Sequence, residues 1–169
     1  SALMIGLIVG GIDALFGRVL IAITDFRGRY IQILIWFLPI AGLFICWMYH
    51  RFNEMSLKGM TLVLETAQGK RADIPLALVP LVMVGTWITH LFGGSAGREG
   101  VAVQIGATLS HWFARRFKFA DNRTILLIAG MAAGFGGLFQ TPFAAVFFAM
   151  EVVVTGKMLY QAFLPSLVA

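Results

Sequence analysis

The chain has 169 residues, of which 59% are hydrophobic and only 12% are charged, and its mean hydropathy is +0.86. A soluble domain carries about a quarter charged residues, so this composition argues against an ordinary soluble domain and indicates a polytopic membrane protein. The formal charge of +5 does not indicate a nucleic-acid partner, because the basic residues lie in short connections where they can face lipid headgroups. A single cysteine, Cys46, excludes a disulfide or thiolate metal cluster within one chain, and no metal or organic cofactor is indicated.

The first third of the chain contains two long apolar runs, 3–23 and 31–49. Each run is long enough to cross roughly 30 Å of hydrocarbon. The first lacks a basic leader and a cleavage site, so we interpret it as a membrane span and not as a removable signal. Asp13 lies inside this span, and we expect its carboxyl group to bond to a neighbouring helix. We also expect a short polar connection between the two spans, which would contain Asp25, Arg27 and Arg29.

From residue 59 onwards the apolar segments become shorter, and glycine and proline interrupt them. We expect breaks around Gly59, at 93–97 and at 134–140, and a kink at Pro80. Short segments with such breaks are typical of discontinuous helices whose ends meet near the middle of the membrane in transporters. The predicted fold is therefore all-α, with broken and tilted helices in one transmembrane domain over 1–169. The predicted apolar segments are 59–66, 75–92, 101–113, 124–133, 142–154 and 158–169.

Residues 93–106, GGSAGREGVAVQIG, place an arginine and a glutamate at the start of an apolar helix. An ionisable residue at membrane depth is a functional hypothesis by default. The glycines leave the backbone N–H groups of the helix N-terminus open to a small anion. The carboxylate of Glu99 can occupy such a site itself and leave it when a proton neutralises it. The alternative interpretation is a surface glutamate paired with Arg98.

Two motifs in this order resemble the CLC family of chloride channels and transporters. GREG at 97–100, followed by VQIG at 103–106, resembles the family's signature. AGF at 133–135, TPFA at 141–144 and the run 147–151 resemble its next conserved stretch. The resemblance covers nearly the whole chain but only the first half of a typical member, which is the first of two inverted repeats.

The resemblance implies a membrane transporter or channel for a small halide and not an enzyme. Members of the family are homodimers in which the N-termini of broken helices hold the anion, and the signature glutamate is gate and proton carrier. Carried over, Glu99 is the gating and proton-transfer residue, and Gly97, Arg98, Gly100 and Val101 belong to the anion site. The implied partners are fluoride or chloride, protons, the lipid bilayer, and a second copy or a second half-transporter chain. The implied location is multi-pass in the bacterial inner (plasma) membrane.

Two departures from the chloride-type pattern resemble the fluoride/proton antiporter branch. Many members have a serine followed by Gly-Ile-Pro at the first broken helix, whereas this chain has GMTL at 59–62, and Val101 replaces the usual proline. In the fluoride branch a methionine replaces the serine, which makes Met60 an anion-site candidate, although a thioether is a poor hydrogen-bond partner. Thr61 is the competing candidate, and core packing is the alternative role for Met60. Glu151 is expected to be a partnered structural carboxylate first and a proton relay second.

Two other classes of protein remain open at this stage. The first is an intramembrane serine hydrolase with Ser95 as nucleophile, because GGSAG at 93–97 satisfies G-x-S-x-G. A nucleophilic serine needs a histidine base, and His90 would reach Ser95 only if the chain folded back. The other is a truncated or degenerate half-transporter that serves as a membrane scaffold. A half alone does not build the family's site, so the chain is a fragment, or another polypeptide supplies the second half, or two copies assemble antiparallel.

Overall fold

A computed structural model describes residues 2–70, 73–117, 123–153 and 158–169. All the regular structure in these residues is helical, as predicted. Three short 3₁₀ turns, at Ile35–Phe37, Glu54–Lys58 and Tyr160–Ala162, connect the longer elements. The α-helices are α1 (Ala2–Leu34), α2 (Leu38–Phe52), α3 (Met60–Ala67), α4 (Leu78–Leu91), α5 (Arg98–Arg116), α6 (Arg123–Phe139), α7 (Pro142–Val152) and α8 (Phe163–Val168).

The predicted polar connection between the first two spans is wrong. Helix α1 continues through the charged residues 25–29 and ends at Leu34, because charged side chains on an exposed face do not interrupt a helix. The backbone leaves helical geometry at Tyr30 (φ −126°, ψ 15°), and the 3₁₀ turn Ile35–Phe37 leads into α2. Within the described residues, 2–52 is the one helical stretch that is long and apolar enough to cross a membrane. Its outer face exposes Leu3, Leu7, Ile21, Ile33, Trp36, Ile40, Leu43 and Trp47.

Helices α5 and α6 form the most closely packed pair, and small residues at intervals of four make this possible. A Cβ at Gly106 of α5 would overlap the carbonyl group of Gly130 in α6, and a Cβ at Gly134 would overlap the carbonyl group of Ala102. Interfaces of this kind, with small residues four positions apart, bring two helix backbones into direct contact in membrane proteins. The pair therefore holds α5 rigidly against the centre of the fold.

Helix α1 packs across this pair and carries a buried acid. Asp13 is 1% exposed, and its Oδ2 atom lies 3.7 Å from the position that a Cβ would take at Gly137 of α6. Neither carboxyl oxygen has a hydrogen-bond partner among the described residues. The expected bond to a neighbouring helix is therefore not present in the described part of the chain, although the contact with α6 is.

Two of the three predicted breaks are confirmed. Gly59 (φ +50°) separates a 3₁₀ turn from α3, and residues 92–97, with Gly93 at φ +86°, separate α4 from α5. The third is misplaced, because α6 continues to Phe139 and the chain turns at Gln140 (φ 56°). The expected kink at Pro80 is also wrong, since this proline lies in the first turn of α4, where no intrahelical bond is lost. Helix α7 accounts for the predicted segment 142–154, of which residue 154 lies outside the described residues.

Candidate functional site

The N-terminus of α5 has the open backbone that the sequence predicts. Gly97 is the N-cap residue (φ −67°, ψ 124°), and no side chain caps the first turn, which contains Glu99. The first N–H groups of a helix have no intrahelical acceptor, and the helix dipole places partial positive charge there. Gly97, Arg98 and Glu99 are all exposed in this chain. The geometry is suited to a small anion or to the carboxylate of Glu99.

A second uncapped N-terminus belongs to α3. Gly59 is its N-cap residue (φ +50°, ψ −123°), a backbone conformation that favours glycine over residues with a Cβ, and no side chain caps this turn either. Met60 and Thr61 are the first two helical residues. The side chain of Thr61 is exposed, whereas Met60 is half-buried and packs against the apolar core around Leu62. The packing of Met60 fits the alternative role as a core residue.

One side chain joins the two N-termini. The carboxamide of Gln104 on α5 lies against the N-cap of α3, with Oε1 3.6 Å and Nε2 3.8 Å from the position of a Cβ at Gly59. The same Nε2 atom lies 3.8 Å from the position of a Cβ at Gly100, one turn earlier on α5. The structure therefore brings Gly59, next to the candidates Met60 and Thr61, and the candidate Gly100 to the same amide. Gln104 belongs to the VQIG motif but is not among the site residues predicted from the sequence. The feature that could have indicated it is a polar residue one turn beyond Gly100 in an apolar helix.

The remaining candidate residues, Val101, Glu99 and Glu151, differ in burial and in their contacts. Val101 is buried and packs with Phe16 of α1, so it can offer only its backbone to an anion. Within the described residues Glu99 forms no ion pair with Arg98, contrary to the alternative of a paired surface glutamate. Glu151 is exposed in the last turn of α7 and contacts no hydrogen-bond or ion-pair partner in the ranges that the structure describes. Its predicted role as a partnered structural carboxylate is therefore not seen in this chain.

A cavity of about 430 Å³ lies beside the linker that precedes α5. Two arginines and a histidine line it, and no acidic side chain does. Arg27 Nη1 donates a hydrogen bond of 3.4 Å to the backbone carbonyl of His90, which fixes α1 against the end of α4. The positive lining favours the approach of anions to the start of α5. The lining residues are Leu20, Thr24, Arg27, His90, Gly93, Gly94, Ser95, Ala96 and Arg98.

The same cavity tests the serine hydrolase hypothesis, since Ser95 and His90 both line it. The chain does fold back at Gly93, and the Gly94 N–H donates to the carbonyl of Thr89 (2.8 Å). The Nδ1 atom of His90, however, lies 3.0 Å from the backbone carbonyl of Thr86, where a triad needs a carboxylate. In the described residues Ser95 makes no hydrogen bond to His90. The catalytic arrangement is therefore not assembled.

The opposite end of α5 carries a separate group of charged side chains. Asp73 forms an ion pair with Arg115 and lies 3.3 Å from Nε2 of the buried His111. The hydrogen bond from the Arg115 guanidinium lowers the pKa of Asp73 below its ordinary value. This cluster ties the segment before α4 to the end of α5, so its role in the described structure is to join two elements.

Comparison with known proteins gives consistent matches. The family described as voltage gated chloride channel matches residues 41–169. A chloride/fluoride channel protein of Pseudomonas syringae pv. tomato is 36% identical over 98% of this chain, and an uncharacterized protein of Methanocaldococcus jannaschii is 30% identical over 96% of it. The crystal structure of a CLC-type fluoride/proton antiporter superposes on 99% of the chain with a TM-score of 0.96 and 48% sequence identity.

These matches also define how much of each relative the chain represents. It spans 37% of the Pseudomonas protein, 39% of the Methanocaldococcus protein and 42% of the antiporter chain. The match to the antiporter confirms the all-helical fold, and the family consists of channels and transporters and not of enzymes. The chain therefore belongs to the voltage-gated chloride channel family, the CLC family, and corresponds to one part of the length of these relatives.

Proposed function

We propose that the protein carrying this chain moves a small halide across a membrane in exchange for protons, with fluoride as the favoured anion. Glu99 is the gate and the proton carrier in this proposal. The observation that carries it is the meeting of two uncapped helix N-termini, those of α3 and α5, at a single carboxamide, with Glu99 in the first turn of α5. Two such termini concentrate unpaired N–H donors and partial positive charge at one place.

The proposed gating step is a competition for these donors. The ionised carboxylate of Glu99 occupies the anion position, and a halide displaces it or enters when a proton neutralises it. Each proton that Glu99 binds thus frees the anion position for one halide, and this couples halide movement to proton movement. Gly97, Arg98, Gly100 and Val101 contribute their backbone, Thr61 offers a hydroxyl, and the cavity lined by Arg27 and Arg98 attracts the anion.

The proposed preference for fluoride over chloride rests on the descriptions of two relatives and on the methionine at position 60, where the chloride-type pattern has a serine. Two relatives carry fluoride in their descriptions, one as a chloride/fluoride channel protein and one as a fluoride/proton antiporter. In this proposal the Met60 side chain packs into the core and leaves the anion to the N–H donors of α3 and to Thr61. Glu151 serves as a second proton-transfer residue, because it is an exposed acid near the end of α7 that no described residue neutralises.

The proposed assembly supplies what this chain lacks relative to its family. The second inverted repeat comes from the rest of a longer polypeptide, from a separate chain or from an antiparallel copy, and the complete transporter is a multi-pass homodimer in the bacterial plasma membrane. The scaffold alternative predicts the same assembly without flux. Mass measurement of the intact detergent-solubilised complex distinguishes the three sources of the second half.

The central experiment measures anion efflux and proton uptake from liposomes that contain the native assembly. With fluoride and pH electrodes, the wild-type protein should release fluoride faster than chloride and take up protons in proportion. Glu99→Gln should abolish proton uptake, because an amide does not bind a proton near neutral pH and has no negative charge with which to compete for the anion position. Glu54→Gln is the matched control, since Glu54 is exposed, pairs with His50 and lies outside the first turns of α3 and α5. Unchanged flux and unchanged proton uptake in Glu99→Gln would contradict the gate, and absence of any flux in the wild type would favour the scaffold.

A further inference from the structure

The Gln104 side chain is a buried polar group without a protein partner. Gln104 is 8% exposed, one turn before the buried Thr108 on α5. Its backbone carbonyl accepts the hydroxyl of Thr108 (2.7 Å), but its carboxamide makes no hydrogen bond with any described residue. An amide in an almost wholly buried side chain normally has a hydrogen-bond partner, so its position requires an explanation.

The direction of the side chain supplies that explanation. In a helix the side chain leans toward the N-terminus, and Gln104 accordingly extends back over Gly100 and reaches Gly59 at the start of α3. Both neighbours are glycines, so no side chain stands between the amide and the two sets of uncapped N–H groups. The carboxamide therefore lies against the N-cap of α3 and the third residue of α5.

We propose that Gln104 is an anion ligand, whose Nε2 group donates a hydrogen bond to a small halide held between the first turns of α3 and α5. This inference rests on the proposed halide transport and adds one side-chain donor to the backbone donors. A dehydrated halide needs hydrogen-bond donors to replace its water shell, and a primary amide offers two N–H groups.

Direct binding of sodium fluoride and sodium chloride to the purified native assembly, measured by titration calorimetry, tests this role without depending on flux. Gln104→Met preserves the length and volume of the side chain and removes the donor. A hydrogen bond to a charged group contributes enough that its loss should weaken halide binding about 10- to 100-fold. Gln104→Asn withdraws the amide by one methylene group, and we expect an intermediate loss.

Ser110→Ala is the matched control on the same helix. Ser110 is buried and bonds only to the Ala107 carbonyl (3.0 Å), at a distance of more than one turn from Gln104, so halide affinity should not change. The thermal unfolding temperature of each variant without halide checks that it is folded; Gln104→Asn serves if Gln104→Met does not fold. Wild-type affinity in a folded Gln104→Met or Gln104→Asn protein would overturn the role of Gln104 and leave halide transport standing. A wild-type protein that binds no halide would overturn both.

Discussion

Two glycine-rich regions of this chain have opposite structural roles. In residues 93–97, before α5, glycine interrupts the helical backbone, with a positive φ at Gly93. In residues 130–137 of α6, glycines stay inside a continuous helix and let its backbone touch that of α5. The first region leaves a helix N-terminus open at the proposed anion site, and the second packs the same helix against α6.

The difference shows that a glycine count alone does not distinguish a break from a packing face. Inside a membrane bundle the alternative to a break is close contact between helices, and spacing at intervals of four indicates that alternative. Gly130 and Gly134 have this spacing, as do Ala102 and Gly106 on the partner helix. Gly93 and Gly97 have it too, but residues 92–97 are not helical and the chain breaks there, so the spacing indicates a packing face only where the helix continues.

The largest expected effect comes from a methyl group in the packing face. Gly130→Ala places a Cβ onto the backbone of Gly106 and 2.5 Å from Ser110 Cβ, so α5 and α6 must separate. Overpacking of this kind costs about 1–3 kcal/mol of unfolding free energy, and more when backbone must move. Thermal unfolding followed by circular dichroism in detergent measures the loss. Gly137→Ala is the control on the same helix, where the nearest atoms lie 3.7 Å away or farther and no loss is expected. Equal stability of the two variants would contradict the packing role.

The next effect concerns backbone strain at the break. Gly93→Ala forces a residue with a Cβ into φ +86°, at 2.8 Å from the flexible end of Ile31, and should cost about 1–2 kcal/mol. Gly97→Ala, at φ −67° and with no atom within 4 Å of its Cβ, should change stability by less than about 0.5 kcal/mol. The two unfolding temperatures in one detergent provide the measurement. A greater loss in Gly97→Ala than in Gly93→Ala would reject this account of the linker.

A smaller effect sharpens where α6 ends. Gln140 is exposed and has φ 56°, a left-handed conformation that glycine adopts without strain. Gln140→Gly should therefore raise stability by about 0.5–1 kcal/mol, whereas Gln140→Val should lower it. Chemical denaturation of both variants tests the pair. If Gln140→Val were the more stable, the end of α6 would have to lie elsewhere.

The smallest effect lies at the far end of α5, where charges and not glycines join two elements. The Arg115 hydrogen bond lowers the pKa of Asp73, so the ion pair stabilises the fold above the ordinary aspartate pKa of about 3.9. This contribution disappears as the pH falls through the lower pKa of the folded state. The side chains are half exposed, so Asp73→Asn should cost only about 0.2–1 kcal/mol at pH 7. Unfolding temperatures of wild type and variant should converge at acidic pH, and a gap that widened there would contradict the pair.

Hydropathy and the placement of glycines in the sequence are enough to predict the class of fold and a candidate site. Hydropathy predicted an all-helical membrane protein, and glycines next to an acid predicted the open N-terminus of α5, because backbone exposure and helix polarity are local properties. The same local logic found the break at Gly59, which requires a positive φ. It failed at residues 25–29 and 134–139, where charged residues and glycines remain helical because exposure and helix contacts, and not local propensity, decide.

The packing of the helices, in contrast, is what brings the amide of Gln104 against both Gly59 at the start of α3 and Gly100 in the first turn of α5. Gly59 and Gln104 are 45 positions apart in the sequence, and no periodicity of hydrophobic residues indicates which helix ends meet. The close packing of α5 on α6 fixes the direction of α5, and its second turn, which contains Gln104, then lies against the start of α3.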